Sequence, residues 1–553
     1  MVDKESGNNG RTARMTALVA AMLAIMLVGV PSFLSDPVSL SMVGNVAAQS
    51  DPEDRQFVIG VEGELGVSTL NPNTYTMMVE AMLIFPCYSG LLQYDMDSQL
   101  TGDAAYSWSS TPDMLTWYFQ LYPEIYFCDP ANPYDKSHPL TAEDVIWSYD
   151  MYQTNLLSRL HPSLPSIDGQ PLIKDMGLVN DDPLHMYMEL SSPYAPFLGA
   201  MSLPILPKYY WESEDPQRFL DDEVPIGSGP FFYNVTGPPS GQTAKLYRNP
   251  IWHCEQWLGW QNHIDVIFLE TQLNEGTAWQ ALQAGEIDVQ LGFDAATYTT
   301  TLFETDFVTG FAQSQGFVYE FNLNQLTDEL RSEIGGTFNS GSNNQILLNL
   351  EVREAFAMCI DKQEFIDEVA QGLGSVSTSL VPDVNPWVYE YGSTPGEVPF
   401  VFDTAAARQK LVDAGWAYDA LGNDAGLDTL PLCREDGEDP LSFDFISPDG
   451  DEWKAACAQI VSWVAEAGIV LDYTPKSISQ MNTAWYGANY DVWLWDWIFG
   501  PLNDPSTDCL CVLTTDAIGV DSDIYMSNPT FDALYNESLV TMDPALRYEI
   551  VAD

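Results

Sequence analysis

The chain is 553 residues long, too long for one hydrophobic core, so two or three domains are expected. Its 46% hydrophobic and 12% aromatic content excludes a disordered chain. Only 20 Lys and Arg stand against 79 Asp and Glu, a formal charge of −59, and so few cations exclude nucleic acid and anionic membrane surfaces as partners; neutral or cationic ligands fit better.

Arg11 and Arg14 precede an apolar run from Met15 to Val30, and the small-residue site Val46-Ala47-Ala48 follows. This is the pattern of an export signal, with a mature chain starting near Gln49 and an extracytoplasmic or cell-surface location. No charge occurs from Met15 through Ser35, so an uncleaved N-terminal membrane anchor is the alternative. QFVIGVEGEL then reads as a strand, STLNP as a turn, and TMMVEAMLIFPCYSGLL as a helical stretch ending at Gly90. WYFQLYPEIYF alternates as a strand does. In PLTAEDVIWSYDMY, Thr141 is a helix N-cap with Asp144 in the first turn, where an acid complements the helix dipole.

VPIGSGPFFYNV is read as a glycine-proline turn between two strands, with Gly227 and Gly229 supplying backbone geometry other residues do not reach. No Gly-Lys-Ser/Thr follows, so it is not a phosphate loop. AWQALQAGEIDVQL is a helix closed by Gly285 and followed by a strand; the same order returns in IVSWVAEAGIVLDYT and more loosely in ARQKLVDAGWAYD, which is repeated α/β construction. VREAFAMCIDKQEFIDEVAQGLG, Val352 to Gly374, has the spacing of one long helix, and GGTFNSGSNNQ is the most loop-like segment. In YDVWLWDWIFGPLNDPS an extended chain puts Trp493, Trp495 and Trp497 on one face, about 6.8 Å apart, and Val492, Leu494, Asp496 and Ile498 on the other. A strand apolar on both faces suits the middle of a covered sheet, yet indoles are also the best stacking surface for a ligand beyond a strand's carboxyl end.

The Cys count is 8, an even number that permits disulfides without fixing their pairing. No metal is expected: Cys509 and Cys511 are too close in sequence, and His253-Cys254 lacks a second ligand pair at standard spacing. No cofactor is expected either.

Taken in order, LNP (Leu70 to Pro72), YSGLL (Tyr88 to Leu92), AAYSW (Ala104 to Trp108), LTWYFQL (Leu115 to Leu121) and PLTAEDVIWS (Pro139 to Ser148) resemble the large peptide-binding family of extracytoplasmic solute-binding proteins of ABC importers. The resemblance continues through GSGPF (Gly227 to Phe231), LYRNPIW (Leu246 to Trp252), LQAGEID (Leu282 to Asp288), VREAFAMCID (Val352 to Asp361) and DVWLWDW (Asp491 to Trp497). It implies an α/β fold of the periplasmic-binding-protein-like type II, two lobes with a hinge and an extra domain inserted in the first lobe. By that analogy the domains are 1–49, export signal or anchor; 50–92, lobe one; 93–222, the insert; 223–315, lobe one again; 316–520, lobe two; and 521–553, a return to lobe one. LVTMDPALRYEIVAD ends in a helical pattern without a C-cap, so a truncated reading frame is expected.

The implied function is capture of an oligopeptide or oligosaccharide by lobe closure and delivery to a membrane permease, by a monomer that is not an enzyme. A shift from 1:99 to 99:1 in favour of the closed form requires about 5.5 kcal/mol of differential affinity. Carried over residue by residue, the ligand-binding set is Tyr75, Thr76 and Met77 on the first loop, Trp495, Asp496 and Trp497 at the end of the tryptophan strand, Trp485 nearby, and Tyr319 and Asn322 where the chain enters lobe two. The peptide pattern is incomplete. Gly500 and Pro501 stand where peptide binders of the family place an acid, and no Lys or Arg occurs between Lys476 and Arg547 to anchor a carboxylate. Sugar rings or a cation suit such a surface.

Two other readings are weighed. A transporter-independent surface sensor or receptor uses the same lobes. An exported hydrolase needs a catalytic motif, and the 5 histidines adjoin neither a Gly-x-Ser-x-Gly elbow nor a His-Glu-x-x-His helix.

Overall fold

A computed structural model describes residues 41–45, 55–62, 65, 67–75, 78–95, 99–155, 158, 160, 163–167, 169–212, 225–233, 243–291, 308–312, 317–369, 371–377, 379–382, 385, 387–388, 400–498, 504–519 and 522–552. The apolar export segment and the Val46-Ala47-Ala48 site lie outside these residues. No helix among the described residues is long and apolar enough to cross a membrane. The chain divides into two compact units: Met1–Gln313 with Gly500–Asp504 and Ser538–Arg547, and Ser314–Phe499 with Pro505–Glu537 and Tyr548–Asp553. The tail from residue 521, expected in lobe one, is thus shared between the units.

Unit one holds a seven-stranded sheet in the order Phe231–Tyr233, Thr243–Arg248, Val266–Gln272, Gln56–Glu62, Val289–Leu291, Ser41–Asn45, Val308–Ala312. Gln56–Glu62 runs parallel to both of its neighbours, and the helix Glu275–Ala284 makes the crossover between two of these strands. That helix starts where Asn274 accepts a 3.0 Å hydrogen bond from the Thr277 N–H and stops at Gly285 in the left-handed region (φ 71°), as the sequence predicts.

A separate antiparallel sheet in the same unit has the order Ala105–Ser110, Thr116–Leu121, His185–Leu190, Ile173–Leu178. Its two central strands bury every second residue, with Trp117 opposite Met188 and Phe119 opposite Met186, which is the period-two pattern of a half-covered strand. The helix Ala142–Thr154 follows Thr141 as expected, and Asp144 accepts the Thr141 N–H and hydroxyl, both at 2.9 Å.

One local expectation is corrected in unit one. The stretch from Met78 is α-helical only to Ile84, after which Pro86 shapes a 3-10 turn over Phe85–Cys87. Of the two strands expected around the Gly227 turn, Phe231–Tyr233 follows it, residues 213–224 before it lie outside the described residues, and Gly227 makes a single bridge to Cys128. The two glycines are required by close approach, because a Cβ on Gly227 would lie 2.0 Å from the Cys87 carbonyl oxygen and one on Gly229 2.6 Å from that of Pro86.

Unit two is built on a four-stranded sheet, Phe317–Leu323, Val492–Ile498, Ser442–Pro448, Val470–Lys476. The tryptophan strand lies second, antiparallel to Phe317–Leu323 and parallel to Ser442–Pro448. Helix Asp451–Glu466, then Gly468 at φ 92°, then strand Val470–Lys476 reproduce the helix, glycine, strand order read from the sequence. After the helix Thr404–Asp413 and Gly415 the chain makes only isolated bridges at Tyr418, so the looser third copy ends without a strand.

The long helix expected over Val352 to Gly374 is two helices, Leu350–Cys359 and Lys362–Glu368. Asp361 is the cause: its carboxylate accepts the Glu364 N–H at 3.0 Å and starts a new helix, a local bond that outweighs the continuing apolar periodicity. The core under the sheet joins Val352, Phe356, Phe443, Phe445, Trp463, Val492 and Leu494. All eight cysteines are free thiols.

Candidate functional site

In antiparallel register Tyr319 faces Asp496, Glu320 faces Trp495, and Asn322 faces Trp493. Opposed residues share a face, so Glu320 and Asn322 stand with the three indoles, and Tyr319, Phe321, Leu494 and Asp496 occupy the other side. Leu494 and Val492 enter the core, with Phe321 and Leu323 packed on it. The alternation deduced from the sequence is therefore the alternation seen, and both faces are covered.

On the indole face the rings form a chain. Tyr490 lies 5.0 Å from Trp493, Trp493 5.3 Å from Trp495, and Trp453 stacks on Trp495 at 6.5 Å with 25° between planes. Trp453 is at the start of helix Asp451–Glu466, directly after strand Ser442–Pro448, and its ring also meets Tyr319 at 5.5 Å. Tyr319 is the open member of this group, 39% exposed.

A carboxylate network adjoins the rings. Asp523 Oδ2 accepts the Trp497 indole N–H at 2.8 Å and the Asn322 amide at 3.1 Å, and the same amide nitrogen donates to Glu320 Oε2 at 3.1 Å. Burial pushes the Glu320 carboxyl well above the usual range, and the Asp523 charge adds to that shift. Burial also pushes Asp523 up to about 6. Among the described residues, the buried atoms Glu320 Oε1, Trp453 Nε1 and Trp493 Nε1 make no hydrogen bond, although buried polar atoms almost always do.

These shifts give a pH dependence of stability. Between 3.8 and about 6 the folded chain holds a proton on Asp523 that the unfolded chain has released, so stability falls as pH rises through that window. Asp523→Asn, which does not ionise, is expected to flatten the fall. Equilibrium unfolding of both chains at about pH 4 and about pH 7 measures the difference.

The residues singled out from the sequence fall into distinct settings. Tyr75 belongs to unit one and is fully buried, edge-on to Phe85 at 5.3 Å, so its ring is packed interior. Thr76 and Met77, and likewise Gly500 and Pro501, lie outside the described residues. Trp485 is buried with its indole N–H on the Ser522 carbonyl at 3.0 Å, which ties it to the segment covering the indole face. Trp495, Asp496, Trp497 and Asn322 are brought together in unit two, and all four are buried. Glu320, Trp453 and Asp523 were not singled out. A lone acid inside the apolar run FVYEFNLN was a signal for Glu320, whereas nothing local marks Asp523 in so acidic a chain.

A different groove, about 830 Å³, lies on unit one and is lined by Glu143, Trp147, Lys174 and Lys208 among others. Its lysines are paired at the surface, Lys208 with Glu143 of the groove at 3.8 Å and Lys174 with Glu189 outside it at 2.5 Å.

The profile of the bacterial extracellular solute-binding proteins, family 5 Middle, matches residues 99–515. The nickel-binding periplasmic protein of Escherichia coli (strain K12) is 24% identical over 406 residues, 72% of this chain and 67% of that protein. The peptide transport periplasmic protein SapA of Salmonella typhimurium is 22% identical, covering 95% of this chain and 88% of its own. Among solved structures, a mannohexaose-bound periplasmic oligopeptide-binding protein from Thermotoga maritima superposes with a TM-score of 0.64 at 17% identity, over 91% of this chain and 88% of that one. At that identity the likeness establishes the fold, the periplasmic-binding-protein-like type II expected from the sequence.

Proposed function

Because this chain belongs to the bacterial extracellular solute-binding proteins of family 5, which bind solutes rather than transform them, we propose that it captures a neutral, ring-bearing solute of the oligosaccharide class and hands it to an ABC permease. One observation carries the choice of ligand: a row of indoles, Trp453 stacked on Trp495 and Trp493 tilted against it, bordered by hydrogen-bonding atoms without partners among the described residues, Trp453 Nε1, Trp493 Nε1 and Glu320 Oε1. Flat indoles take the apolar faces of sugar rings, and N–H groups with a protonated carboxyl take hydroxyls. Burial keeps Glu320 a neutral acid to higher pH than an ordinary glutamate, so it acts as a hydrogen-bonding group more than as a charge. Trp495, Trp497 and Asn322 make up the binding face in unit two, while Asp496 and Tyr319 stand on the other side of the strand pair, where Tyr319 reaches the row through Trp453. By the family resemblance, closure of two lobes on the solute would provide the signal for delivery.

An amine-bearing oligopeptide is the second reading. Asp523, at about 6, is ionised at neutral pH and offers a counter-charge, and no Lys or Arg between Lys476 and Arg547 competes for it.

Calorimetry with neutral oligosaccharides, amine-bearing peptides and their N-acetylated forms separates the two. Binding of a neutral oligosaccharide, with no requirement for an amine, is the expected result. Binding of peptides only, lost on N-acetylation, overturns the sugar and supports the amine.

A further inference from the structure

The sequence offers no pair of metal ligands at standard spacing, yet the fold of unit one assembles three donors from distant places. Asp103 lies between the strands Leu100–Gly102 and Ala105–Ser110, and His253 and Cys254 open the short helix His253–Trp257. All three are buried, and their donor atoms lie within 4.8 Å of one another. We propose that Asp103 Oδ1, His253 Nε2 and Cys254 Sγ form a structural site for a zinc-class divalent cation.

The geometry fits that class. The edges of the donor triangle are 3.0 Å from Oδ1 to Nε2, 3.4 Å from Nε2 to Sγ and 3.8 Å from Sγ to Oδ1. Donors at zinc bond lengths around a tetrahedral ion stand about 3.3–3.7 Å apart, so small shifts of these side chains fill three of the four positions and leave the fourth to water. A mixed carboxylate, imidazole and thiolate set selects zinc or cobalt over calcium or magnesium.

The hydrogen bonding favours a cation over a proton. Three atoms converge on His253 Nε2: Asp103 Oδ1 at 3.0 Å, the Asp103 carbonyl oxygen at 3.2 Å and Cys254 Sγ at 3.4 Å. A ring nitrogen carries at most one proton, which serves these neighbours poorly. The other Asp103 oxygen is already committed, since Oδ2 accepts the Gly90 N–H at 3.0 Å, and this fixes Oδ1 toward the imidazole as a supporting hydrogen bond does at metal sites.

On binding, the Cys254 S–H bond breaks, a sulfur–metal bond forms, and the proton leaves to solvent. The divalent charge then balances one carboxylate and one thiolate, so the buried site is neutral. The ion would staple the segment after Gly90 to the helix at His253, joining parts of unit one that are 150 residues apart in sequence.

The test uses the full chain, stripped of metal with a chelator and kept reduced, and titrated with cobalt(II). The expected result is a sulfur-to-cobalt charge-transfer absorption that saturates at about one ion per chain, releases about one proton, and is displaced by zinc. Cys254→Ser is expected to abolish the band, Asp103→Asn to weaken binding, and Cys359→Ser, a buried cysteine in unit two, to leave both unchanged. In the unmutated chain zinc should protect Cys254 from alkylation after partial denaturation, a readout that does not depend on the variants folding. Absence of the band, its persistence in Cys254→Ser, or alkylation of Cys254 at the same rate with and without zinc would leave only a hydrogen-bonded triad and overturn the proposal. None of these outcomes depends on which solute the protein carries.

Discussion

Trp495→Ala should lower the stability of unit two by about 3–5 kcal/mol, the usual cost of emptying a buried tryptophan site. The ring touches Trp453 on one side and Trp493 on the other and is buried on its sheet face, so the surrounding rings have little freedom to close the cavity. That loss alone says nothing of binding. Trp495→Phe keeps an aromatic ring in the gap and is expected to cost about 1–2 kcal/mol of stability, while solute affinity drops about tenfold because the stacking platform shrinks. Urea unfolding and calorimetry on the two variants separate packing from recognition. Unchanged affinity in the phenylalanine variant would make Trp495 a packing residue and remove it from the proposed binding face.

Arg331→Ala is expected to destabilise unit two by about 4 kcal/mol, with no comparable effect from Lys476→Ala on the edge strand of the sheet. Arg331 is buried, and its hydrogen-bond partners among the described residues include no acid. Its guanidinium instead donates to the carbonyl oxygens of Phe338 at 3.0 Å, Gly487 at 2.9 Å and Ala488 at 2.8 Å, and to Asn343 Oδ1 at 2.6 Å. These acceptors belong to the 3-10 segment Gly336–Ser340, the loop after it and the turn that leads into the tryptophan strand. Removing the guanidinium orphans several buried oxygens together, each costing about 1–3 kcal/mol before relaxation. Arg331→Lys keeps the charge but not the fork, and should recover less than half of the loss. Chemical denaturation at neutral pH checks both, and a loss below about 1 kcal/mol in the alanine variant would show that water replaces the clasp.

The two effects meet in one place. The Arg331 clasp holds the turn at Gly487 and Ala488, and the strand beginning at Val492 carries the indoles. Weakening the clasp should therefore loosen the indole row as well, so Arg331→Lys is expected to bind solute more weakly without any residue of the binding face being changed.

Much of the local structure was legible because its causes are local. Thr141 with Asp144, Asn274 with Gly285, and Gly468 each mark a helix boundary through bonds or dihedrals that span only a few residues. The same logic explains a miss: Asp361 is a good N-cap, but the apolar spacing on both sides of it hid the break. The strand of three tryptophans was readable as buried on both faces from alternation alone. Which neighbours cover those faces was not.

What the sequence by itself determined is the repeated α/β construction, the two faces of the tryptophan strand, the scarcity of cations, and a family resemblance spread along the chain. Only the tertiary structure decided that Tyr75 is sealed against Phe85, that Asn322 joins Glu320 to Asp523 across 201 residues of sequence, and that Asp103 meets His253 and Cys254. The reason is physical. Capping and alternation are set by a few neighbouring bonds, whereas burial, pKa and donor convergence depend on side chains that only long-range packing brings within a few ångströms of each other.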